Sequence, residues 1–106
     1  MAVDPALREK ILASVEAGFA EQIAFTQALV RFRSIRGQET PCQDFVFRAL
    51  RTRGYKMDRF SMDPAAIAAH PGGSPWSDQH SEAPIVVATH HPREETGRSL
   101  ILQAHV

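Results

Sequence analysis

The chain has 106 residues, of which 43% are hydrophobic and 23% charged, and its 12 Lys plus Arg are balanced by 12 Asp plus Glu. That is an ordinary globular composition with room for one small domain and a modest core, which excludes a disordered or membrane-embedded chain. Zero net charge supplies no field to hold a polyanion, so neither a nucleic acid nor a membrane is an expected partner.

Cys42 is the single cysteine, so no internal disulfide can form and a reducing compartment is expected. The opening Met1-Ala2-Val3-Asp4-Pro5 lacks the basic start and apolar run of a signal peptide, and no apolar stretch approaches the roughly 20 residues of a membrane span. The expected location is the cytoplasm.

Asp4-Pro5 reads as a helix start: Asp accepts from free amides of the first turn, and proline there gives up a donor that had no partner. Leu7, Ile11, Val15, Phe19 and Ile23 follow at four-residue spacing, a stripe that drifts slowly around a helix, and Phe25, Leu29 and Phe32 add a second. The pattern predicts a helix from about Pro5 to about Arg31, bent near Gly18, with its apolar side on a sheet. The period is lost from Arg33 to Glu39, which carries Gly37 and reads as a loop. Thr40-Pro41-Cys42-Gln43 has the form of a capping box with proline at the first helical position. Phe45, Val46, Ala49 and Leu50 keep helical spacing, and Gly54 suits the left-handed residue that ends a helix. Phe47 falls off this stripe and is assigned to contact with another element or a partner.

Tyr55 to Met62 is predicted as an edge strand, because charges occur on both faces. Asp63-Pro64 opens one or two helical turns ending before Pro71-Gly72-Gly73-Ser74-Pro75, and a loop runs through Trp76, which anchors it or serves an interface, to Pro84. Ile85-Val86-Val87-Ala88-Thr89-His90 reads as a strand buried on both faces. A polar turn over 91–98 then leads to Ser99-Leu100-Ile101-Leu102-Gln103-Ala104-His105-Val106, where five of eight residues are apolar. This is predicted as a second buried strand, pairing antiparallel with the first across the short turn and delivering one histidine near its end. The fold class is therefore α/β: two helices on a mixed sheet that closes in a β-hairpin. The last strand is unfinished, so residues 1–106 are expected to be the front portion of one domain in a longer protein.

Two stretches resemble a known family. Leu100-Ile101-Leu102-Gln103-Ala104-His105-Val106 resembles the strand that continues as His-x-Asp in the metal-dependent amidohydrolases of the acetylornithine deacetylase, succinyl-diaminopimelate desuccinylase and aminoacylase type (peptidase family M20). Leu29-Val30-Arg31-Phe32-Arg33-Ser34, followed by Gly37-Gln38-Glu39, resembles the family's opening signature, with Arg33 where proline is usual. The resemblance implies the amino-terminal part of a zinc-peptidase-like catalytic domain. It also implies a two-metal hydrolase, usually with zinc and with cobalt as a substitute, that cleaves the amide bond of N-acyl amino acids or related small amides. The implied chemistry is a metal-activated bridging water with a glutamate carrying the proton. His105 is the implied metal ligand, no catalytic residue can be named before Val106, and a homodimer is compatible with the family. A catalytic zinc needs about three protein ligands, so these residues alone are expected to be inactive.

The other candidates are weaker. His90 and His91 are strand neighbours that point to opposite faces and cannot chelate from one side, and His70 and His80 sit in loops. The glycines of 72–73 lack a full phosphate-binding pattern and are read as turn residues. Cys42, in the first turn of its helix, is either a small buried residue or a thiol nucleophile. Arg31, Arg33 and Arg36 are either solvated or face an anion. The rival to the hydrolase is a non-catalytic α/β interaction module whose sheet is completed by another chain.

Overall fold

A computed structural model describes residues 3–75 and 84–106. The chain divides into two compact units, residues 1–32 and 33–106.

The first unit holds two helices, α1 (Pro5–Ala17) and α2 (Phe19–Val30). Asp4 caps α1 as expected, its carboxylate accepting from the Leu7 amide at 3.3 Å, with Pro5 at the helix start. The long helix of the sequence reading is divided at Gly18. The Gly18 amide still donates to Ser14 at 3.1 Å and its carbonyl accepts from Gln22 at 3.0 Å, so the hydrogen-bond ladder passes through the joint. Leu7, Ile11, Val15, Phe19 and Ile23 are all exposed, and neither helix contributes a buried residue.

The second unit contains α3 (Thr40–Thr52), β1 (Lys56–Phe60), α4 (Pro64–Ala69) and β2 (Ile85–Thr89). Helix α3 begins one residue earlier than the capping-box reading places it. Glu39 precedes it without a side-chain cap bond, and the Gln43 amide donates to the Glu39 carbonyl at 3.0 Å. Pro41 permits this, because every amide of the first turn lacks a helical acceptor and proline has none to lose. The other end follows the sequence closely. Gly54 has φ +86°, its amide donates to Arg51 at 3.0 Å, and the Tyr55 amide reaches back to Leu50 at 3.3 Å. This pair of bonds is the Schellman closure, which satisfies carbonyls that the helix end would leave open. Arg53 Nη1 adds a bond to the Ala49 carbonyl at 3.0 Å.

Strands β1 and β2 form a two-stranded antiparallel sheet in which Lys56 faces Thr89, Met57 faces Ala88 and Phe60 faces Ile85. The α/β class stands, but the sheet corrects three expectations. It is antiparallel, not mixed. Strand β2 pairs with β1, which precedes it by a connection containing α4, and not with the residues after it. Residues 99–106 carry neither strand nor helix, so the terminal hairpin does not form. An apolar run meets the compositional condition for a strand, but a strand also needs a neighbouring backbone in register, which residues 99–106 do not have among the described residues. Leu100, Ile101 and Leu102 are left 81%, 89% and 87% exposed.

Helix α3 packs on this sheet. Directly paired residues share a face, so Met57 with Ala88 and Arg59 with Val86 form one side, and Lys56, Asp58 and Phe60 with Thr89, Val87 and Ile85 form the other. Met57, Val86 and Ala88 are half-buried, whereas Phe60, Ile85 and Val87 are exposed. Strand β2 is thus covered on one face only, and the expectation of burial on both is corrected. One layer of helix covers one side of a two-stranded sheet and leaves the other open. Cys42 on α3, 2% exposed, is the one fully buried hydrophobic residue among those described.

Helix α4 follows its Asp-Pro start, with Asp63 accepting from Ala65 at 2.9 Å and Ala66 at 3.2 Å. Its exit is tight: a Cβ placed on Gly73 would lie 1.8 Å from the Ile67 carbonyl oxygen, so only glycine fits. The glycines of 72–73 serve this turn, as read from the sequence. No helix among the described residues is long and apolar enough to cross a membrane.

Candidate functional site

His105 lies in the irregular segment after β2, with its side chain exposed. The described residues contain no group of three or more His, Cys, Asp and Glu side chains placed to hold a metal ion. Zinc is the group implied by the family resemblance, and a catalytic zinc takes about three protein ligands. The described residues therefore do not fit a complete zinc site, and no metal-dependent step can be written on them. His105 stands in them as a single accessible imidazole.

The remaining histidines are engaged separately. His90, just beyond β2, sets its ring edge-on to Tyr55 with centroids 6.1 Å apart. His91 Nδ1 lies 2.6 Å from Glu95 Oε1; a carboxylate oxygen can only accept, so the imidazole is the donor. This exposed pair closes the turn after β2. The two neighbours thus serve different contacts, but both lie past the end of β2 at Thr89, so the expectation that they are strand neighbours is corrected. His70 ends α4, and its Nδ1 accepts from the Gly72 amide at 3.0 Å. That leaves the proton of the neutral ring on Nε2. Trp76 and His80 lie outside the described residues.

Cys42 is buried, which suits a small core residue and withholds the thiol from a substrate. Arg31 belongs to the first unit, and Arg33 and Arg36 to the second. The division falls inside the helix-end stretch Leu29–Ser34, where Leu29 and Val30 close α2. Ser34 carries a buried hydroxyl oxygen with no hydrogen-bond partner among the described residues, an arrangement that ordinarily costs free energy.

One polar cluster was not legible in the sequence. The guanidinium carbon of Arg59, on β1, lies 5.6 Å from the centre of the Phe47 ring, and that of Arg51 lies 5.7 Å from it. Arg59 also forms a salt bridge with Asp44, one turn before Phe47 on α3. Phe47 does face another element, one of the two roles its off-stripe position left open. The signal was present in that position, but the partner strand's register was needed to identify Arg59. A cation on an aromatic face and an ion pair together fasten helix to sheet, and the cluster is structural in character.

No protein-family model matches the chain, and no curated protein matches it.

Proposed function

We propose that this chain is the amino-terminal part of the catalytic domain of a metal-dependent amidohydrolase that cleaves the amide bond of N-acyl amino acids or related small amides. The observation that carries the reading is the residue run Leu100-Ile101-Leu102-Gln103-Ala104-His105-Val106, with His105 as a ligand to one of two zinc ions. The helix-end stretch Leu29–Ser34 and the order helix, loop, helix, strand support it. The other ligands, the proton-transferring glutamate and the substrate-binding groups are not assigned to residues 1–106, so this piece alone is inactive.

The test uses the protein isolated at natural length from its source cells: intact mass, zinc content, and hydrolysis of N-acetyl and N-succinyl amino acids. The proposal expects a mass several times the 11.8 kDa of these residues, bound zinc, and hydrolysis that is lost on chelation and on His105→Ala. A protein of natural length that binds no metal, or hydrolyses these amides equally well after His105→Ala, would overturn it.

A second reading is favoured by the two-stranded sheet, in which each strand leaves one edge without a strand partner among the described residues, and by the exposed Leu100-Ile101-Leu102 run. In it the chain is a non-catalytic interaction module that completes its sheet with strands from a partner chain. It expects a natural mass of 11.8 kDa and a stable complex in solution, with no amide hydrolysis.

A further inference from the structure

We draw no further inference here: the strongest candidate, the exposed apolar run Leu100-Ile101-Leu102 together with the open outer face of the β1–β2 sheet, is an unpartnered apolar surface, and nothing in the structure shows what covers it.

Discussion

Two glycines in the second unit are required for different reasons, and replacing each with alanine separates backbone conformation from steric contact. At Gly54 the backbone is left-handed, with φ +86°, and an added Cβ would meet nothing within 4 Å. The cost of Gly54→Ala is therefore conformational alone. A left-handed residue bearing a Cβ costs about 1–2 kcal/mol, and alanine's restriction of the unfolded chain returns roughly 0.4–1 kcal/mol. The expected net loss is about 1 kcal/mol, or a factor of about five in the folded-to-unfolded ratio. Gly54→Asn should lose less, because asparagine tolerates the left-handed region. At Gly73 the added Cβ would lie 1.8 Å from the Ile67 carbonyl oxygen and 2.9 Å from its carbon. Those are backbone atoms that cannot swing aside, so Gly73→Ala must displace the end of α4 and break the Gly73–His70 and Gly72–His70 hydrogen bonds.

Urea unfolding followed by far-UV circular dichroism reads the Gly54 series. Amide exchange at Tyr55 and at Gly73 reads the two turns separately. Gly54→Ala should speed exchange at Tyr55, whose amide closes α3 on Leu50, and leave α4 unchanged; Gly73→Ala should disturb 67–73 and leave α3 unchanged. A Gly54→Ala variant as stable as the parent, or one that Gly54→Asn fails to improve on, would refute the left-handed closure of α3.

Arg59→Met should lower stability by on the order of 1 kcal/mol, since it removes both the contact with Phe47 and the pair with Asp44. With the two side chains 37% and 33% exposed, a double-mutant cycle with Asp44→Asn should give a coupling below about 1 kcal/mol that shrinks in salt; a coupling several times larger would mean a desolvated pair. Cys42→Ser places a hydroxyl at a buried site and should cost about 1–3 kcal/mol if no partner is found. The native thiol should resist alkylation until denaturant is added, and rapid labelling without denaturant would show that the site is open. His105→Ala should leave the unfolding free energy of the 106-residue chain unchanged within about 0.5 kcal/mol, because the side chain is exposed; a larger loss would give this histidine a structural role.

Features written in short-range chemistry were legible in the sequence. Asp4-Pro5 and Asp63-Pro64 start helices because the cap bond spans two or three residues, and Gly54 ends α3 because one residue must turn left-handed. The break at Gly18 and the positions of β1 and β2 follow from the same local signals to within a few residues. For the candidate site, His105 enters as a candidate only through the family resemblance, and the strand-alternation argument for His90 and His91 does not apply, because β2 ends at Thr89.

Strand pairing belonged to the tertiary structure. Ile85–Thr89 and the run after Ser99 are similarly apolar, and nothing local distinguishes the strand that finds a ladder from the segment that does not. The register that sets Met57 against Ala88 and Arg59 against Val86 decided which face α3 covers, why Phe47 sits off its stripe, and why β2 is covered on one side. Local bonds determine where elements begin and end. Which strands pair, and what each face meets, depends on backbone groups far apart in sequence, and only the folded chain brings them together.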